Sequence, residues 1–212
     1  MEFQLEVLSR EVPGFFHTLT NAISAAYNAA YAQMPPPMHR DQLCQRRFYG
    51  YILPTVDYEI RRAFDNASFR GIKVINAENA NRSAPHLEIH TPWCIFVISK
   101  VRRHRDVPRK ANYRQKYVDQ MFIPEVFPDM EVYSDGCRPL YVVTHASASP
   151  DFELKHVGIG RLTATQEAWS FFCGIDALCS WDALSETVSK TVAPEVRQEI
   201  VEKSRRVQIK KA

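Results

Sequence analysis

The sequence predicts an α+β fold: a mixed or mainly antiparallel sheet with an N-terminal helical pair, a central basic helix and C-terminal helices. Three observations lead there. Apolar residues recur at helical steps through the first third of the chain, the period shortens to two near residue 67, and no repeat, low-complexity tract or linker interrupts the 212 residues. A chain of that length fits one domain, parsed as a helical part over 1–66, a sheet-containing core over 67–165 and C-terminal helices over 166–212.

From Val12 to Met34 the positions Phe15, Phe16, Leu19, Ile23, Ala26, Tyr27, Ala30 and Tyr31 form one apolar stripe, with Pro13 suited to a first helical turn. Pro35, Pro36 and Pro37 end that helix because they lack backbone donors. A second helix is expected over about 40–64, interrupted near Pro54, with Val56, Ile60 and Phe64 aligned. "SFRGIKVINA" and "HLEIHTPWCIFVISKV" then read as strands, separated by the polar loop "ENANRS", with Pro92 marking a break.

"RKANYRQKYVDQMF" carries Ala111, Tyr113, Tyr117, Val118 and Met121 at helical steps and predicts a helix with a cationic outer face. A Pro/Gly/Asp-rich connector leads to the strand "LYVVTHA". "FELKHVGIGRL" follows as another strand, in which Gly158 and Gly160 predict a bulge or a close backbone approach. "TATQEAWSFF" and "GIDALCSWDAL" read as short helices with Thr163 and Gln166 as a capping box, and the tail from Pro194 reads as a helix with acids first and bases last.

Composition narrows the function classes. Hydrophobic residues at 45% and charged residues at 24% are ordinary for folded proteins. The apolar run "WCIFVIS" is far shorter than the roughly 18–20 residues a membrane span needs, so no membrane partner is expected. The N-terminal stretch has no basic, then apolar, signal-peptide pattern, and the 5 cysteines are scattered, so a reducing cytoplasmic location is expected. Cys94 and Cys173 lie in apolar sequence and read as inert thiols, and no Walker A, G-x-G-x-x-G, G-x-S-x-G or H-E-x-x-H motif occurs.

Charge is uneven. The net charge is +3, yet Lys100, Arg102, Arg103, Arg105, Arg109, Lys110, Arg114 and Lys116 face only Asp106 within 17 residues, a local +7 that leaves −4 for the rest of the chain. Arginine pairs bidentately with phosphate, and Tyr113 and Tyr117 could stack on bases, so this segment is the candidate nucleic-acid-binding site. The leading expectation is a polyanion-binding protein, most of all for nucleic acid, with no cofactor. The same charges could dock an acidic protein, as in one half of a toxin–antitoxin or host–phage defence pair, and a homo-oligomer is compatible with either.

A second candidate is His86, Glu88 and His90, which strand alternation places on one face and which could hold a divalent metal, with His145 or His156 completing the set. The order helix, three strands, helix, strand resembles the core order of the PD-(D/E)xK nucleases. That resemblance implies Mg²⁺ held by carboxylates of adjacent strands beside a lysine. Glu88 and Glu59 are the available acids, but the position two before Lys100 is Ile98, so the signature acid is missing. A metal-dependent hydrolase or divergent nuclease is therefore the alternative expectation.

Overall fold

The structure, a computed structural model, describes residues 2–33, 42–78, 85–121, 138–147 and 153–180, with the backbone alone over 42–49 and 118–121. Helices α1 (Phe3–Glu11), α2 (Phe15–Ala32) and α3 (Gln42–Ala67) come first. Strands β1 (Lys73–Ala77), β2 (His86–His90) and β3 (Ile95–Lys100) follow, then α4 (Asn112–Met121), β4 (Leu140–Ser147), β5 (Leu154–Leu162) and β6 (Trp169–Gly174). The strands lie in the order β1-β2-β3-β4-β5-β6, and β3–β4 is the one parallel pair, so the sheet is mixed. The fold is α+β, as the change of period predicts.

The parallel pair is possible because α4 lies between β3 and β4 in sequence and supplies the crossover that parallel strands require. Alternation then divides the sheet into two faces. Leu87, Ile89, Phe96, Ile98, Tyr141, Val143 and Ile159 are buried together with the apolar stripes of α1, α2 and α3. Phe15 sits at the centre of this layer, with ring centroids 5.2 Å from Phe64 on α3 and 5.3 Å from Phe96 on β3. The other face carries a smaller cluster of Ile95, Val97, Leu140, Val142 and Leu162, against which Val107, Tyr113, Tyr117 and Trp169 are packed.

Four differences from the sequence expectations have local causes. Helix α1 buries Leu5 and Leu8, and Gly14, at φ 80°, makes the turn into α2 that a side chain would strain. Glu2 ties the start of α1 to the sheet, accepting from the Tyr141 hydroxyl at 3.1 Å and pairing with Arg161 at 3.1 Å. Helix α3 runs unbroken through Pro54; the carbonyl deprived of a donor is that of Gly50, at an exposed position where water can serve it. Residues 169–174, expected to be helical, form the edge strand β6, and the helix begins only at 175–180.

The fourth concerns Thr163 and Gln166, which form a turn between β5 and β6 instead of a capping box, with Gln166 at φ 55°. The proline run 35–37, the "ENANRS" loop, most of the 122–138 connector and the tail from Pro194 lie outside the described residues, apart from Glu78. No helix among the described residues is long and apolar enough to cross a membrane.

The expected close approach at the glycines of β5 is present. A Cβ at Gly158 would lie 2.5 Å from Phe172 Cζ, and one at Gly160 would lie 2.6 Å from Trp169 Cε3 and 2.7 Å from the Phe171 carbonyl oxygen. The rings of β6 therefore rest on bare backbone of β5. Because one of these neighbours is backbone and cannot swing away, Gly160→Ala is expected to cost about 1–3 kcal/mol, the usual range for overpacking; urea unfolding with an unchanged midpoint would contradict this contact.

Candidate functional site: a pinned basic loop beside a buried carboxylate

Strand β2 turns Leu87 and Ile89 into the helical core and His86, Glu88 and His90 toward α4. Glu88 is 2% exposed. Its Oε1 accepts from His86 Nε2 at 2.9 Å and its Oε2 from His90 Nε2 at 2.6 Å, while the Tyr117 hydroxyl reaches the two oxygens at 2.9 and 2.8 Å. Tyr113 stacks on His86, with centroids 3.7 Å apart and planes inclined by 25°.

Arg138 closes the far side, donating to the Thr91 carbonyl at 2.7 Å and to His90 Nδ1 at 3.2 Å. Burial pushes the Glu88 carboxyl up, but the hydrogen bonds from His90, Tyr117 and His86 outweigh it and hold the group below its ordinary value. Burial and then the adjacent carboxylate push the Tyr117 phenol well above its ordinary range, so the network is an ionised acid surrounded by protonated donors.

This donor pattern bears on metal binding. An ionised carboxylate only accepts, so both Nε2 atoms carry the proton, and His90 Nδ1 is then the acceptor that Arg138 requires. A metal on His90 Nε2 would leave an Nδ1–H facing an arginine N–H. Neither remaining histidine completes the set. His145 lies on the opposite face, its Nδ1 bonded to the Tyr27 hydroxyl at 2.8 Å. His156 shares the face of Glu88, but β3 and β4 stand between its strand and β2. Among the described residues no group of three or more His, Cys, Asp or Glu is arranged to hold a metal.

The basic segment divides into outward and inward residues. Arg102, Arg103, Arg105, Arg109, Lys110 and Lys116 are exposed. Arg114 is 3% exposed and works internally, donating to the Arg109 carbonyl and to Ser99 Oγ at 3.3 Å. Lys100 is half-buried, cross-strand partner to His145, and burial pushes its amine down to about 8. Tyr113 and Tyr117, expected as stacking residues, are committed to His86 and Glu88. Lys110 pairs with Glu167 at 2.7 Å on the surface.

The loop carrying these cations has a fixed backbone. Asp106 Oδ2 accepts from the Arg103 amide at 2.9 Å, and Trp169 Nε1 donates to the Arg105 carbonyl at 2.9 Å. Gln166 bonds both the amide and the carbonyl of Ala111, each at 3.3 Å, and reaches Gln115 at 2.7 Å. Arg105 itself sits at φ 67°, in the left-handed region that a non-glycine residue enters only under constraint.

Trp169 and Gln166 are thus the residues that sequence reasoning missed. The signal for Trp169 was the pair Gly158 and Gly160, which vacate the space that Trp169, Phe172 and His156 occupy; Gln166 had no such signal. The thiols behave as expected, with burial pushing Cys94 up to about 12 and Cys173 up to about 11.

The chain matches no family model, no curated protein and no solved structure.

The buried histidines set a pH dependence. Burial, then Lys100 and His156, push His145 down to about 3, and burial, then His104, push His156 down to about 4. Below the unfolded value of 6.5 the unfolded chain therefore binds protons that the folded one refuses, and stability falls as pH drops. His145 alone is expected to remove about 1.4 kcal/mol per pH unit in that window. His145→Gln, which keeps an acceptor for Tyr27, is expected to flatten the slope of urea-unfolding free energy between about pH 6 and pH 5; an unchanged slope would show that His145 titrates normally.

Proposed function

We propose that the protein binds a polyanion, nucleic acid above all, through the loop 102–109 and the outer face of α4. The observation that carries this reading is that Arg102, Arg103, Arg105, Arg109 and Lys116 are exposed on a backbone pinned by Asp106, Trp169 and Gln166. A pinned loop holds its charges together before the ligand arrives, so less conformational entropy is lost on binding. Each phosphate neutralised releases condensed counterions, which makes a cluster of arginines an effective binder and a salt-sensitive one. Docking of an acidic protein would use the same charges, but rim charges between proteins govern encounter rate more than affinity.

The hydrolase alternative has less support from the geometry. Glu88 faces α4, whereas Lys100, two residues after Ile98, shares the helical face with its partner His145. Glu59 is 7% exposed and pairs with Arg62 at 2.7 Å. The arrangement that the PD-(D/E)xK resemblance implies needs the carboxylate-held metal and the lysine on one side of the sheet.

Binding of a fluorescent single-stranded oligonucleotide is expected to weaken linearly on a log–log plot against salt. Changing Arg102, Arg103 and Arg105 together to Ser is expected to reduce that slope by about 2, given roughly 0.7 per phosphate contact on single strands. Arg10→Ser, on α1, is expected to leave it unchanged. Equal slopes for the triple variant and the unaltered chain would refute the assignment.

A further inference from the structure

We infer that Trp169, Phe172, His156 and His104 form a base-stacking platform beside the arginine loop, so that the polyanion is single-stranded nucleic acid with bases free to stack. This inference rests on the polyanion reading and adds a second, chemically distinct component to it.

The platform follows from the glycines of β5. With no side chains at Gly158 and Gly160, the rings of Phe172, His156 and Trp169 lie directly over the strand. Trp169 and Phe172 are 5.0 Å apart between centroids, His156 and Phe172 5.8 Å, and His104 stands edge-on to His156 at 4.2 Å and 82°. The cluster is not sealed: His104 is exposed, and Trp169, Phe172 and His156 are half-buried. Trp169 packs in part on the smaller core cluster, and the rings lie on the face opposite to the helical layer, over Gly158 and Gly160.

Two features connect this surface to nucleic acid in particular. First, the indole N–H of Trp169 is bonded to the Arg105 carbonyl, so the platform borders the arginines that would hold phosphates. Alternating cations and ring faces are the arrangement by which single strands are bound with little sequence preference. Second, the exposed ring of His104 lies on the loop itself between Arg103 and Arg105, edge-on to His156, so an aromatic ring and two arginines come from one segment. A duplex offers phosphates but keeps its bases stacked internally, and an acidic peptide offers charge without a π-face.

The test compares ligands of equal charge. Anisotropy titrations at one fixed, low salt concentration would use an oligo-dT strand and an abasic strand of the same length, first with the unaltered chain. The dT strand is expected to bind at least tenfold more tightly. In a chain carrying Phe172→Leu, which leaves the Trp169 bond to the Arg105 carbonyl in place, the ratio is expected to fall about fivefold, with abasic binding retained. Because the ratio is read first on the unaltered chain, it does not depend on the variant folding. Equal, salt-sensitive binding of both strands would overturn the platform while leaving the polyanion reading intact. Absence of binding to either strand would overturn both.

Discussion

The contact on which the architecture turns is the hydroxyl of Tyr117 against the carboxylate of Glu88. A carboxylate 2% exposed is tolerable only if its lone pairs are filled, and the sequence supplies the donors at fixed offsets: His86 and His90 from the same strand, Tyr117 from the crossover helix. Satisfying Glu88 fixes the rotation of α4. With Tyr113 and Tyr117 turned inward, Lys116 is left exposed, and Arg114 is drawn under the loop to bind the Arg109 carbonyl. Removing Glu88 would leave the donors of His86, His90 and Tyr117 without their shared acceptor, at a cost of about 1–3 kcal/mol for each orphaned group.

A second constraint governs the other half of that face. β5 gives up side chains at Gly158 and Gly160, which weakens a strand on its own. The compensation comes from β6, whose Trp169 and Phe172 fill the vacated volume, and from the turn at Gln166, which clamps Ala111. Loop, turn and edge strand thereby become one unit, so the basic loop is held from both ends: by Glu88 through α4, and by the β5–β6 pair through Trp169 and Gln166.

Much of this was legible in the sequence. The switch from helical to alternating periodicity gave the α+β order; Pro92 falls in the turn between β2 and β3; and His86, Glu88 and His90 do share a face, because strand alternation is a property of the backbone. What was not legible depends on which surfaces meet. The tyrosines of α4 have the same helical spacing whether they face a ligand or a buried carboxylate, and Arg114 is indistinguishable in sequence from the arginines around it. "WSFFCG" fits a helix stripe as well as a strand until the glycines two positions apart on β5 demand large rings opposite them. Helix α3 survives Pro54 because that position is exposed, a fact of tertiary placement.

The most direct measurement is an amide correlation spectrum of the protein recorded as an oligo-dT strand is added at low salt, with the indole peak of Trp169 identified by Trp169→Phe. Shifts are expected in that indole N–H and in the backbone amides of 102–106, with the amides of α1 and α2 unmoved. Shifts confined to the helical layer, with the Trp169 indole and the arginine loop unchanged, would contradict this assignment of the site.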